Sequence, residues 1–216
     1  MDKKETLLQA ALDDIKMEAA VELAGQIRDD IDIIEIGTPF LMEYGMAAVS
    51  RMKELFPEKI ILCDAKIMDA GSLEAGLAFK AGADIVTVLA VTDDLTIEDC
   101  AKAAHTNGGK LMADLICVED IPSRVKRLEE LGVDIIGIHT GVDQQAAGQT
   151  PLDDLKIVSG CVKAAQVSVA GGIKPETVSE YLKYSPDIVI AGGGIVNAPS
   201  PKEAAAQLKA KLCGQL

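Results

Sequence analysis

Three charged residues within one short segment are the part of this sequence best suited to chemistry. Asp64, Lys66 and Asp69 lie within six positions and follow the apolar run 59–62. Side chains two residues apart on a strand share a face, so we expect Asp64 and Lys66 to point the same way. Such charges are costly to bury unless they are paired or bind a metal. The segment therefore predicts proton-transfer or metal chemistry on a small anionic substrate, with an exposed charged loop as the alternative.

Further acidic and imidazole side chains stand where other predicted strands end, at Asp13, Glu35, Asp114 and His139. Glu35 and Asp114 interrupt apolar runs, so each needs a cation, a hydrogen-bond donor or a raised pKa. His139 suits proton transfer because imidazole titrates near neutral pH, and a hydrogen-bonded core histidine is the alternative. Asp13 is either a site residue or the N-cap of the next helix.

Two glycine-rich turns follow the last two predicted strands. Glycine lets backbone N–H groups approach oxygen atoms closely, and in (β/α)8 barrels the corresponding loops recurrently bind phosphate. We therefore predict a phosphate anchor in these turns, formed by Gly171, Gly172, Ile173, Gly193 and Gly194.

Apolar runs and amphipathic helical stretches alternate along the chain. The runs are rich in Ile, Val and Leu without strict alternation, which is typical of parallel strands covered on both faces. Predicted strands span 7–12, 31–36, 59–64, 84–89, 110–116, 134–139, 166–170 and 187–191, and predicted helices span 17–28, 40–56, 72–81, 95–107, 122–131, 154–164, 176–182 and 201–212. Eight such units without a linker favour one α/β domain over residues 1–216, a (β/α)8 TIM barrel, over an open doubly wound sheet. In a barrel, the candidate residues would meet at the carboxyl ends of the strands.

The composition argues against several classes of partner. The net charge is −13, which argues against nucleic acid because binding to phosphates depends on basic residues. We find no apolar stretch of membrane-spanning length, and the five cysteines form no C-x-x-C pair. No secretory leader is recognisable, so the sequence predicts a cytoplasmic protein with reduced thiols.

The segment from Asp64 to Asp69 resembles the D-x-K-x-x-D signature of the orotidine 5′-monophosphate decarboxylase suprafamily. Segments 8–13, 34–39 and 139–148 are similar to the branch that contains the hexulose phosphate synthases and the keto-gulonate phosphate decarboxylases. The decarboxylases carry glutamate where Asp114 stands and arginine where Val142 stands. The chain therefore resembles the synthases more closely.

This resemblance implies a reaction and a metal. The synthases condense formaldehyde with the sugar phosphate D-ribulose 5-phosphate in a Mg²⁺-dependent aldol reaction, through a 1,2-enediolate. By resemblance, Glu35 and Asp64 are the metal ligands, and carboxylate oxygens are of the kind that Mg²⁺ prefers. Lys66 is expected to contact the acids and the substrate hydroxyls, held in its charged form by Asp64 and Asp69.

The same resemblance implies roles for the remaining residues. His139 is the candidate that moves the C1 proton, and Asp114 orients the substrate or shares that role. Asp13 is expected to bind a substrate hydroxyl. In the suprafamily the second acid of the signature reaches into the pocket of the partner subunit, which implies that Asp69 acts in trans in a homodimer.

Three other functions fit parts of the pattern. A keto-gulonate phosphate decarboxylase would share the metal, the phosphate site and the enediolate. A ribulose-phosphate 3-epimerase would share the glycine turns, but such enzymes use metal-binding histidines, and His139 is the one histidine at a predicted strand end. A non-catalytic phosphosugar-binding barrel would need the glycine turns but not Lys66 between acids.

Overall fold

The computed structural model describes residues 5–215, in which eight parallel strands close into a barrel in chain order. The barrel closes between the last strand and the first, where Gln9 lies opposite Ile190. The strands are β1 Leu7–Leu12, β2 Ile33–Ile36, β3 Ile60–Ile67, β4 Ile85–Leu89, β5 Lys110–Asp114, β6 Ile135–His139, β7 Gln166–Ala170 and β8 Ile188–Ala191. The predicted (β/α)8 barrel is confirmed, and the open sheet is wrong.

Helices connect successive strands and surround the barrel. They are α1 Met17–Ile27, α2 Thr38–Tyr44, α3 Met46–Leu55, α4 Gly71–Lys80, α5 Asp94–Thr106, α6 Ile121–Glu130, α7 Val142–Ala146, α8 Leu152–Cys161, α9 Val178–Leu182, α10 Gly193–Val196 and α11 Pro201–Leu212. Within residues 5–215, none of the helices combines the length and the apolar character that crossing a membrane requires.

The apolar side chains of the strands form two layers because successive residues point to opposite faces. On β1, Leu8 and Leu12 belong to the large core between the barrel and its helices, whereas Ala11 belongs to the barrel interior. The interior also contains Ile33, Leu62, Ile85, Met112, Ile135, Ile188 and Ile190. These side chains fill the interior of the barrel below a cavity that opens towards the carboxyl ends of the strands.

A repeated aspartate fixes neighbouring strands at the amino end of the barrel. An Asp-Ile pair opens each even-numbered strand, and the aspartates are Asp32, Asp84, Asp134 and Asp187. Each aspartate donates its backbone N–H to a residue of the preceding strand and accepts the N–H of that same residue with its carboxylate. For Asp84 the residue is Ile61, with distances of 2.8 and 2.7 Å. These four rings fix the register between β1 and β2, β3 and β4, β5 and β6, and β7 and β8.

Several element boundaries differ from the prediction. The predicted helix 40–56 is two helices because Gly45 adopts a φ of +62° between them. Strand β3 continues past Asp64 to Ile67, and β5 ends at Asp114 instead of residue 116. Helix α7 was not predicted, and the last glycine turn contains the single turn of α10.

Candidate active site

The carboxyl ends of the strands surround an open cavity of about 1210 Å³. The predicted site residues that line it are Asp13, Glu35, Asp64, Lys66, Asp114, His139, Gly171, Gly172, Ile173, Gly193 and Gly194. Asp69 is absent from this set. The structure therefore brings together residues from seven of the eight strand ends, as a barrel requires.

Asp64 is held by side chains from three directions. It is 6% exposed, and its Oδ1 accepts a hydrogen bond from Thr87 at 2.8 Å. Its Oδ2 accepts one from Thr38 at 2.9 Å and also binds the ammonium group of Lys66. The carboxylate thus has a fixed orientation at the base of the cavity.

Lys66 reaches the cavity through a β-bulge, not through simple strand alternation. Cys63 pairs with Val86 and Ile67 pairs with Val88, so residues 64–66 lie opposite one residue of β4. Lys66 itself has a φ of +46°, which costs a non-glycine residue about 1–3 kcal/mol. The expectation that Asp64 and Lys66 point the same way is confirmed, but the bulge is its cause.

The second acid that pairs with Lys66 is Asp114, whereas the sequence predicted Asp69. Asp114 Oδ2 lies 3.6 Å from Lys66 Nζ, whereas Asp69 is exposed and accepts the N–H of Ala70 with its own carboxylate. Burial would lower the pKa of Lys66, but Asp64 and Asp114 together raise it above its ordinary value. Within one chain, Asp114 therefore takes the place that the prediction gave to Asp69, because Asp69 lies beyond the end of β3.

Asp114 and His139 form a hydrogen-bonded pair. Asp114 is 5% exposed, and its Oδ2 lies 2.8 Å from His139 Nδ1. The other oxygen accepts the backbone N–H of Ile116 at 2.8 Å. An imidazole held in this way presents its Nε2 to a substrate, and the carboxylate fixes its tautomer and its orientation.

Glu35 is buried and has the most perturbed acidity among the acids of the site. It is 8% exposed and accepts a hydrogen bond from Gln9 Nε2 at 2.6 Å. Burial, followed by the negative charge of Asp64, raises the pKa of Glu35 to about 8. The Oε1 atom of Gln9 is buried without a hydrogen-bond partner among the described residues. This part of the cavity therefore has more oxygen acceptors than positive charges or donors.

Asp13 stands at the rim of the cavity. Helix α1 begins at Met17 after Lys16 and has no side-chain cap, so the alternative role of Asp13 as an N-cap is wrong. Partial burial and the charge of Asp64 raise the pKa of Asp13 above its ordinary value. A Cβ on Gly37 would lie 2.1 Å from Asp13 Oδ1, so glycine leaves the space that this carboxylate needs.

The two glycine turns lie against each other on the other side of the cavity. Gly171 and Gly172 have φ values of +126° and +65°, which glycine adopts without strain. A Cβ on Gly194 would lie 2.1 Å from the carbonyl oxygen of Ile173. Ile173 is 2% exposed, so its side chain packs in the core and only its backbone can face a ligand.

The acids of the site suit a magnesium ion, which needs few protein ligands, better than a metal ion that is coordinated by protein side chains alone. Within residues 5–215, no group of three or more His, Cys, Asp and Glu side chains is arranged to hold a metal. Mg²⁺ commonly uses one or two carboxylates and completes its octahedron with water and substrate. Glu35 and Asp64 are two buried carboxylates close enough to repel each other, which suits a cation between them.

Three residues of the site were not predicted: Gln9, Thr38 and Thr87. Gln9 and Thr87 are the polar residues within the apolar strands β1 and β4, and that interruption was the available signal. Threonine is also a common strand residue, so its presence in β4 did not indicate a site by itself.

The sequence and fold were compared with known proteins. The sequence model of the "Orotidine 5'-phosphate decarboxylase / HUMPS family" matches residues 6–208. A "3-hexulose-6-phosphate synthase" of Staphylococcus aureus is 46% identical over 208 residues, 96% of this chain and 99% of the relative. The crystal structure of a protein with the same name from Salmonella typhimurium superposes with a TM-score of 0.96 at 46% identity and covers 98% of this chain and 100% of that one.

A more distant structure belongs to the other enzyme of the predicted branch. A "3-keto-L-gulonate-6-phosphate decarboxylase" from Vibrio cholerae has a TM-score of 0.86 at 29% identity and covers 98% of this chain and 99% of that one. The chain is thus more similar in sequence to the synthases than to this protein. It belongs to the orotidine 5′-phosphate decarboxylase / HUMPS family.

Proposed function

We propose that this chain is an aldehyde-lyase that condenses formaldehyde with D-ribulose 5-phosphate, reversibly, to give D-arabino-hex-3-ulose 6-phosphate. The observation that carries the proposal is the 46% identity, over nearly the whole length of both chains, to relatives named 3-hexulose-6-phosphate synthase. The arrangement of acids, lysine and histidine in one cavity is consistent with this chemistry and gives each residue a role.

The sugar phosphate would bind with its phosphate at the glycine turns. Gly193 and Gly194 are the first residues of α10, so their N–H groups have no acceptor within that helix. Gly172 and Ile173 contribute backbone from the neighbouring turn. The carbon chain of the substrate would then extend across the cavity towards the acids, with Asp13 at the rim able to accept a hydrogen bond from a hydroxyl.

His139 would remove the C1 proton of ribulose 5-phosphate. With Nδ1–H donating to Asp114, the neutral imidazole has its lone pair on Nε2, where it can accept the proton. The resulting 1,2-enediolate attacks the carbonyl carbon of formaldehyde from C1, and a C–C bond forms. The formaldehyde oxygen becomes a hydroxyl by taking a proton, which the protonated His139 can supply.

The negative charge of the enediolate needs nearby positive charge. Lys66 is held in its charged form by Asp64 and Asp114 and can donate hydrogen bonds to the substrate oxygens. Mg²⁺ held by Glu35 and Asp64 would supply Lewis-acid stabilisation of the ketose oxygens. The high pKa of Glu35 means that a cation beside it is needed for its ionised form to predominate at neutral pH.

We also propose that the enzyme is a cytoplasmic homodimer in which Asp69 enters the cavity of the partner subunit. In the single chain, Asp69 is exposed and does not line the cavity. Exposed apolar side chains flank it in sequence, since Met68 is 53% and Leu73 is 66% exposed. An interface that covers these side chains would bury apolar surface and bring Asp69 towards a second site.

The second candidate function is that of a keto-gulonate phosphate decarboxylase. It is supported by the similarity to the decarboxylase structure from Vibrio cholerae, at 29% identity. The residue at the cavity rim that argues against it is Val142. Its side chain is apolar and 79% exposed, where the resemblance expects an arginine in decarboxylases.

The test is an assay of the purified protein with each candidate substrate in the presence of Mg²⁺. We expect formaldehyde to be consumed when ribulose 5-phosphate is present, and little release of CO₂ from 3-keto-L-gulonate 6-phosphate. CO₂ release without formaldehyde consumption would identify a decarboxylase. Binding of both sugar phosphates without turnover of either would identify a non-catalytic barrel.

A further inference from the structure

One buried hydroxyl group links the two residues at the centre of the site. Thr87 lies on β4, is 3% exposed and contacts both Asp64 and the backbone of Lys66. We propose that Thr87 is a positioning residue, which holds the Asp64 carboxylate and the Lys66 backbone in the geometry that turnover requires. This inference rests on the proposed function for its kinetic test, but its structural test does not.

The position of Thr87 in the barrel explains why it has this role. Residues 64–66 of β3 lie opposite a single residue of β4, between the pairs Cys63–Val86 and Ile67–Val88. That single residue is Thr87. A β-bulge leaves its extra residues without regular ladder partners. Here the side chain of Thr87 replaces a backbone partner for the N–H of Lys66, at 2.9 Å.

The direction of each hydrogen bond follows from the chemistry of the groups. A hydroxyl has one proton and two lone pairs, and an ionised carboxylate can only accept. Thr87 Oγ1 therefore donates its proton to Asp64 Oδ1, at 2.8 Å, and accepts the N–H of Lys66 with a lone pair. Valine has nearly the same shape but can do neither, whereas serine can do both.

Thr38 does not duplicate this role. It binds the other oxygen of Asp64 at 2.9 Å, and its second contact is the backbone oxygen of Asp64 at 2.8 Å. Only Thr87 joins the carboxylate to the N–H of Lys66, among the hydrogen bonds of the described residues. Because Lys66 has a φ of +46°, its backbone keeps this conformation only while its surroundings fix it.

The experiment compares Thr87→Val and Thr87→Ser with the wild-type protein, and it uses Ser168→Ala as a matched control. Ser168 is another fully buried hydroxyl residue in the strands, and its hydroxyl contacts the sulfur of Met112 at 3.7 Å.

We expect Thr87→Val to lower kcat by about 10–100-fold, the usual effect of removing a hydrogen bond that orients a metal-binding group. KM for ribulose 5-phosphate should change much less, because the phosphate binds on the other side of the cavity. Thr87→Ser should recover most of the loss, and Ser168→Ala should retain the wild-type kcat.

A second measurement separates this inference from the proposed function. Crystal structures of the variants without substrate should show the Asp64 carboxylate rotated, or Lys66 out of the left-handed region, in Thr87→Val and not in Thr87→Ser. An inactive wild-type protein would refute the proposed function and leave this structural comparison intact. Wild-type kcat and unmoved Asp64 and Lys66 in Thr87→Val would refute the role of Thr87.

If Thr87→Val does not fold, Thr87→Cys gives the same comparison, because a thiol is a weak donor and acceptor. Wild-type kcat in Thr87→Cys would also refute the role of Thr87.

Discussion

Acidic residues stand at both ends of the barrel, and their partners differ. At the amino end, four half-buried aspartates each bind a backbone N–H of the preceding strand, as Asp84 does with Ile61. At the carboxyl end, Asp64 binds two threonines and a lysine, and Glu35 binds a glutamine. The first set satisfies the backbone and fixes strand register. The second set consists of carboxyl groups that repel one another and have capacity left for a cation or a substrate.

Residue type and position relative to a strand therefore do not distinguish structural acids from functional ones. The groups that each carboxylate binds do distinguish them. At the amino end, the carboxylate of each aspartate accepts a hydrogen bond from a backbone N–H group that is part of the folded barrel. Glu35 has a pKa raised to about 8 by burial and by Asp64, so its ionised form needs more positive charge than Lys66 supplies.

The largest expected effect is from Asp64→Ala. This substitution removes a proposed metal ligand and the main partner of Lys66, so we expect turnover to fall by several orders of magnitude. The fold should be retained, because Asp64 makes no strand-register hydrogen bond of the kind that Asp84 makes. Steady-state kinetics and circular dichroism on the same preparation test both statements. Near wild-type turnover would place the reaction elsewhere.

His139→Ala should have a smaller but still large effect. Removal of one general acid–base group typically costs about 10²–10⁴ in rate. The substrate should still bind, because the glycine turns and Asp13 do not depend on the imidazole. Single-turnover kinetics with ribulose 5-phosphate and formaldehyde measure this loss, and a wild-type rate would assign the base to another residue.

Asp84→Ala tests the opposite end of the barrel. The substitution leaves the N–H of Ile61 without its side-chain acceptor and removes the ion pair between Lys53 and Asp84. We expect a loss of about 1–3 kcal/mol in the free energy of unfolding, with the kcat of the folded protein unchanged. Denaturant unfolding and kinetics measure the two quantities. A large loss of kcat with unchanged stability would remove the distinction between the two sets of acids.

The pH dependence of stability tests the buried acid of the second set, with no effect on turnover required. The pKa of Glu35 is about 8 in the folded protein against an ordinary value of 4.5, so the folded state keeps a proton that the unfolded chain releases between these values. Stability therefore falls as pH rises from about 4.5 to about 8 and loses nothing more from this group above that range.

Glu35→Gln lacks this ionisation. In the presence of a chelator, we expect the variant to gain stability over the wild-type protein as pH rises towards 8, by on the order of 1 kcal/mol for each pH unit. Thermal unfolding at pH 5, 6, 7 and 8 measures the difference. Parallel stability curves for the two proteins would mean that Glu35 is not strained by its surroundings.

Much of the fold was predictable from the sequence because parallel strands covered on both faces have a simple pattern. Strands 7–12 and 166–170 were predicted with the bounds of β1 and β7. The bulge in β3 was not predictable, because it depends on register with β4 and on a positive φ at Lys66, which is unusual for lysine. The division of helix 40–56 also went unpredicted, although Gly45 stands where it occurs.

The site was predictable to the extent that its residues follow strands. Glu35, Asp64, Asp114 and His139 converge as expected because the carboxyl ends of barrel strands meet at one face. The pairing of Lys66 with Asp114 was not predicted, since it depends on distances across the barrel between β3 and β5. The role that we propose for Asp69 would depend on a second subunit, whose position no pattern within one chain can give.

The most direct test of the central claim is the dependence of formaldehyde consumption on a divalent cation. Purified protein with ribulose 5-phosphate and formaldehyde should lose activity when a chelator is added and should regain it with excess Mg²⁺. That result would agree with Glu35 and Asp64 acting together on a shared ion. Full activity in the chelator, with metal removal confirmed by elemental analysis, would contradict the claim.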